Sequence, residues 1–375
     1  MTTRRTRPPA RHPHVQRSHA LLSVVSLLCF AASCGTDPPA PPIDSSPWPA
    51  LLSEWALFDG NGATQVPVDG VVPFHPVSVL FSDYTAKHRF LRVPPGTQIT
   101  YDDLLMWGYP VDTVLVKTFA YPLDPRTPDA GERLIETRLL WRRVDGWDAM
   151  TYVWNDAQSD AVRTLAGKTM DITWLDATGA SRTTSYHVPN TNQCRTCHAG
   201  EDTFEPLGPR TRQLDSDFDY GSGPENQIDH LAGLGLLDRV PPPHAMRASM
   251  VDPFTSDGSI GTDARARAYL DANCAHCHRA GGRASASGLY LAWDITDPAR
   301  LGICKTPPAA GRGTCGLDFD IAPGDPAQSI MICRVGSTDP EIHMPEIGSS
   351  LVHTEGLALL TQWISEMTPV ACVPP

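Results

Sequence analysis

At 375 residues the chain is long for one domain and ample for two or three. Proline is abundant at 36 residues, yet 41% of positions are hydrophobic and nine are Trp, which excludes wholesale disorder and favours a folded, loop-rich protein. Only 19% of residues are charged and the formal net charge is −12, which argues against a nucleic-acid binder.

The N-terminus carries Arg4, Arg5, Arg7, Arg11 and Arg17 without an acidic residue, then an apolar run from Ala20 to Phe30, then Ala31-Ala32-Ser33-Cys34. A basic head, a short apolar stretch and a small-residue exit predict a secretory signal over residues 1–33, too short to span a membrane. No apolar residues follow Arg4-Arg5 as a twin-arginine signal requires, so Sec-type export is expected. The small residues before Cys34 resemble a bacterial lipoprotein cleavage site, which implies acylation of Cys34 and a membrane anchor. Ordinary cleavage near Ser33 is the alternative. Gly35 after Cys34 points to the outer membrane, and Pro-rich residues 34–50 read as an extended tether. Without the signal the chain carries about −17, an acidic surface suited to a partner with a basic docking face.

Ten cysteines follow a telling pattern. Cys194-Arg195-Thr196-Cys197-His198 and Cys274-Ala275-His276-Cys277-His278 are both Cys-x-x-Cys-His, the attachment signature of c-type haem. Two thiols about one helical turn apart add to the two vinyl groups of a porphyrin edge, and the adjoining imidazole faces the iron. From this composition one such motif arises by chance roughly 0.01 times per chain, so two are a strong signal. A zinc ribbon would place its pairs closer together, a thioredoxin-like pair would need a βαβ context, and plain disulfides are the remaining rival. Two covalent haem c groups are therefore expected, held by Cys194, Cys197, Cys274 and Cys277, with His198 and His278 as proximal ligands.

Residues 51–190 read as a β-rich, sandwich-like domain. Leu134–Trp141 and Met150–Trp154 flank a turn at Asp145-Gly146, Thr169–Leu175 and Arg182–Val188 flank another at Asp176–Gly179, and Val114–Phe119 is a further strand. Trp107, Trp141, Trp147, Trp154 and Trp174 are expected in its core. Residues 191–257 form the first attachment segment. Helices are expected over Arg212–Phe218 and Asn226–Leu237, and Pro241–Pro243 marks a hinge. In residues 258–375, helices are expected over Thr262–Asn273, capped by Thr262, and over Gly356–Met367.

This last segment resembles a class I cytochrome c domain in Asn273–His278, Pro323–Ser329, Met344-Pro345 and Gln362–Ile364. More loosely, the whole chain resembles a family of exported di-haem c-type cytochromes with a β-rich N-terminal region. Phe81–Tyr84, Pro94–Thr97, Val114–Phe119 and Leu207–Arg212 carry that likeness. The resemblances imply a β-rich domain followed by an α-helical cytochrome c domain.

Met344, on a loop before the last helix, is the expected distal ligand of the second haem, where a thioether favours ferrous iron. His343 is the alternative. His276 is expected to be solvated. For the first haem, Met246, Met250, His230 and His244 are open candidates, as is an unfilled sixth position. Cys304, Cys315, Cys333 and Cys372 are an even set expected to pair, with Cys304–Cys315 and Cys333–Cys372 favoured of the three possibilities. Electron transfer outside the cytoplasm is the expected function. A di-haem peroxidase is the alternative, although the sequence offers no acid–base residue for it, and a ligand-binding role of the β region would be an addition.

Overall fold

In a computed structural model of the chain, six strands follow one another as hairpins: β1 (Val71–Pro73), β2 (Ala86–Arg92), β3 (Val114–Pro122), β4 (Glu132–Arg143), β5 (Gly146–Trp154) and β6 (Ala161–Thr164). They pair antiparallel in chain order as one sheet. The turn expected at Asp145-Gly146 joins β4 to β5, with Arg143 opposite Gly146. A separate hairpin, β7 (Lys168–Leu175) and β8 (Ser181–Val188), turns where Asp176 Oδ1 accepts the backbone N–H groups of Thr178 and Ala180. It lays Ile172, Tyr186 and Val188 against Tyr121, Ile135 and Val153 of the large sheet. Trp107 and Trp154 are core residues, whereas Trp141, Trp147 and Trp174 are half-buried.

The structure describes residues 47–198 and 204–373. The signal segment, Cys34 and the tether up to residue 46 lie outside the described residues. Among those described, no helix is long and apolar enough to cross a membrane.

Helices are few and short: α1 (Thr191–His198), α2 (Thr211–Leu214), α3 (Gln227–Gly233), α4 (Thr262–Asn273), α5 (Ile330–Val335) and α6 (Thr354–Glu366). A two-stranded ribbon, β9 (Asp217–Asp219) with β10 (Pro224–Asn226), follows α2, so the helix expected over Arg212–Phe218 shrinks to a single turn. Asn226 caps α3 by accepting from the N–H groups of Ile228 and Asp229, and the helix stops at Gly233, short of Leu237. Gly261, not Thr262, occupies the cap of α4.

Of the expected architecture, a β-rich, sandwich-like domain followed by an α-helical cytochrome c domain, the second part is corrected. The β region is a six-stranded meander with the two-stranded β7–β8 sheet packed against it. Among its described residues the C-terminal region holds only three α-helices, of 12, 6 and 13 residues, and no helical cytochrome c domain is evident. Gly- and Pro-punctuated chain from Ala275 to Ser329 forms short turns instead. Helices α4 and α6 do meet closely: a Cβ on Gly356 would lie 2.4 Å from the Tyr269 ring, and Trp363 Nε1 donates to Asp263 at 2.8 Å. Yet α4 is equally bound to the β region. Ser78 Oγ donates to the Ala268 carbonyl at 2.9 Å, and Asn273 Oδ1 accepts the Phe81 N–H at 2.7 Å. The described residues accordingly form one compact unit.

The disulfides also differ from expectation. Cys304 pairs with Cys372 and Cys315 with Cys333. The tail runs past Gly324, where Pro369 packs, and so reaches the Cys304–Ile321 bridge region. Arg334 packs on Gly313, which brings the neighbouring Cys333 to Cys315.

Candidate functional site

Leaving β8, Val188-Pro189-Asn190 turns the chain into α1. Asn190 and Gln193 cap this helix reciprocally: Asn190 Oδ1 accepts the Gln193 N–H and Gln193 Oε1 accepts the Asn190 N–H, both at 2.9 Å. The cap fixes the start of a helix that carries Cys194, Cys197 and His198 to the wall of a cavity of about 340 Å³. His198 Nδ1 donates to the Glu205 carbonyl at 2.8 Å, and its ring stacks on Phe204. Burial lowers its pKa to about 4, so the ring is neutral. With Nδ1 engaged on a carbonyl, Nε2 is the nitrogen left for a metal, the arrangement typical of ligating histidines.

Helix α4 delivers the second motif. Cys274, Cys277 and His278 line a cavity of about 520 Å³, and so does Met344. His278 bonds the Leu289 backbone, with Ser287 Oγ 3.5 Å from Nδ1, and burial lowers its pKa to about 4. Met344 is held from behind, its N–H donating to the Arg334 carbonyl at 3.1 Å. His343 is not in this cavity. Its Nδ1 bonds the Ser337 carbonyl and its Nε2 lies 3.3 Å from Ser349 Oγ, so both ring nitrogens are engaged elsewhere.

The remaining distal candidates do not reach the first cavity. Met246 is exposed, Met250 accepts from Gln213, His230 pairs with Glu225, and His244 pairs with Asp215. The residues that do line it include Met106, Met150 and Lys117, none of which sequence reasoning singled out. His276, expected to be solvated, is half-buried and stands among the thiols. Cys197 Sγ, Cys277 Sγ and a His276 ring nitrogen lie within 4.8 Å of one another. Hydrogen bonding to Cys277, and next to His276, holds the Cys197 thiol well below the usual range, and the same contact pushes Cys277 up. Burial raises Cys194 and carries Cys274 up to about 12.

A row of cations faces the first cavity. Arg89 on β2 stands opposite Lys117 on β3, which stands opposite Arg138 on β4, and all three line the space. Arg138 is met by the fully buried Glu136 at 2.5 Å. Among the described residues Arg89 hydrogen-bonds only the Lys87 carbonyl, at 3.5 Å, and Lys117 Nζ sits 4.9 Å from the Phe119 ring centroid. Burial, then the charges of Arg89 and Lys87, drives Lys117 well below its usual pKa. Like charges directly opposite across strands are destabilising, so this row fits a cofactor that brings carboxylates, as haem brings propionates. The donor set also fits haem: paired thiols, a neutral imidazole with one nitrogen free, and cavities within the roughly 300–1,000 Å³ of cofactor sites.

The sequence matches no family model and no curated protein, and the fold matches no solved structure.

Proposed function

We propose that the protein is an exported di-haem c-type cytochrome that carries electrons outside the cytoplasm, tethered to a membrane through acylated Cys34. The observation that carries this reading is the state of the cysteines. Among the described residues, Cys194, Cys197, Cys274 and Cys277 alone remain unpaired, and each pair shares a cavity with the histidine that follows it. Cys194 and Cys197 would hold one haem with His198 on its iron. Cys274 and Cys277 would hold the other between His278 and Met344. Bound there, haem supplies one-electron ferric–ferrous cycling. The chain's own residues set the terms: backbone carbonyls fix the imidazole tautomers, the Met344 thioether favours the reduced state, and the acidic exterior steers a basic partner.

A second reading has one observation in its favour. Cys197, His276 and Cys277 are close enough to share one transition-metal ion such as zinc. Pyridine haemochrome analysis, metal analysis and intact mass of the mature protein from its native host decide between them. Two haems and an acyl group per chain support the cytochrome; a colourless protein with one zinc per chain overturns it.

A further inference from the structure

The two attachment motifs lie far apart in the chain, one after β8 and the other after α4, yet their second cysteines meet. Cys197 and Cys277 hold equivalent positions in the two motifs, and their sulfurs fall within 4.8 Å of each other with the His276 imidazole beside both. The cavities abut at the same place: Phe81, Cys197, His276 and Ile347 line both. Cys194 lines only the first of these two cavities, and Cys274 only the second. The two spaces therefore share a wall, to which Cys197 belongs, and Cys277 faces that wall from the second cavity with its sulfur near that of Cys197.

We propose that the motifs form one composite site, in which Cys197 and Cys277 hold their two haems edge to edge across a wall of Phe81, His276 and Ile347. The proposal rests on the haem reading above. Each thioether forms when the cysteine sulfur bonds the inner vinyl carbon and the thiol hydrogen ends on the outer one, with no oxidant or reductant consumed. Every thioether carbon is bonded directly to the porphyrin ring. Two sulfurs in near contact thus bring two conjugated edges together, and the haems exchange electrons and perturb each other's spectra. The juxtaposition also gives His276 a task, since its ring fills the gap between the two linkages.

The test uses the haem-loaded mature protein. Haem is counted first by pyridine haemochrome, then Soret circular dichroism and electron paramagnetic resonance are recorded on the oxidised, half-reduced and reduced forms. A composite site gives a bisignate Soret couplet, and ferric signals broadened in the fully oxidised protein that sharpen on half-reduction. The double variant Cys274→Ser/Cys277→Ser, which keeps one haem, reduces the couplet to a band of one sign. The half-reduced wild type makes the same comparison should that variant not fold. Two haems per chain with a single-signed Soret band and ferric spectra equal to two isolated centres overturn the composite site and leave the cytochrome reading intact. A colourless chain overturns both.

Discussion

Asp83 holds Ser350 by two hydrogen bonds and its neighbour Leu351 by a third, between segments 267 and 268 residues apart in the chain. The carboxylate, 4% exposed, accepts the backbone N–H groups of Ser350 and Leu351 on Oδ1, both at 2.8 Å, and the Ser350 hydroxyl on Oδ2 at 3.0 Å. Asp83 lies just before β2, and Ser350 lies between Met344 and α6. The β region thus anchors the loop that carries the expected distal ligand. Asp83→Ala strands these donors and is expected to cost about 3 kcal/mol, read as a lower urea midpoint. In the haem-loaded protein, the far-red sulfur-to-iron band should weaken as the Met344 loop loosens. An unchanged midpoint and band would show that the loop holds itself.

What could be read in the sequence was local. Cys-x-x-Cys-His is a covalent spacing, and hairpins such as β4–β5 follow from alternation and a nearby turn. The cation row was not legible, because Arg89, Lys117 and Arg138 become neighbours only through the register of three strands. The same holds for His276, which looks solvated by sequence and is placed beside Cys197 by tertiary folding. The cytochrome c domain was over-read: α4 and α6 carry the right patterns, but Asn273 and Asp83 tie that region into the β sheet's own unit. Sequence proximity also misdirected the disulfides, since the short Cys304–Cys315 loop looked favourable while the tail's path past Gly324 brings Cys372 to Cys304.

Met344→Ala tests the second iron's distal ligand. In the haem-loaded protein the far-red band should vanish. The potential of that haem should fall by on the order of 0.1 V, within the roughly 0.8 V that axial ligands span. His343→Ala serves as the control: both its ring nitrogens are occupied by Ser337 and Ser349, so the band should survive. Survival of the band in Met344→Ala would sink the assignment.

Arg89 has no carboxylate partner among the described residues, and burial lowers its pKa only to about 10, so it stays charged at neutral pH at the wall of the first cavity. Arg89→Met removes a positive charge from the neighbourhood of the first haem. Its affinity for an electron is expected to drop about tenfold, or roughly 60 mV for a one-electron couple. The second haem should barely respond. A spectroelectrochemical titration that shows equal shifts in both haems, or none, would contradict the role given to the row.

Removing the disulfide that closes the longer loop should cost more, since the loop-closure entropy grows with the logarithm of loop length. Cys304–Cys372 spans 68 residues and Cys315–Cys333 spans 18. Chain-entropy arguments give about 4 kcal/mol for the first and about 3 kcal/mol for the second. Paired Cys→Ser variants, compared by denaturant midpoint, should follow that order. Peptide mapping under non-reducing conditions checks the connectivity itself, and recovery of a Cys304–Cys315 peptide would reinstate the pairing favoured by sequence.

His353 gives the molecule an acid-sensitive joint. Its ring stacks on Phe81 with centroids 4.2 Å apart and is enclosed by Tyr84, Phe254 and Tyr269. Nδ1 lies 3.2 Å from Tyr269 Oη and Nε2 lies 3.6 Å from Glu355. Burial lowers its pKa from 6.5 to about 4, against the pull of Glu355 and with a smaller push from Lys87. Between pH 6.5 and 4 the unfolded chain binds a proton that the folded ring refuses, so stability falls as pH falls through that window. Below about pH 4 both states are protonated and the loss levels off. The full loss is roughly 3 kcal/mol. His353→Phe keeps the aromatic stack and removes the titration. Its urea midpoint should therefore change less than the wild type's between pH 7 and pH 4.5, and equal pH slopes in the two proteins would place the acid sensitivity elsewhere.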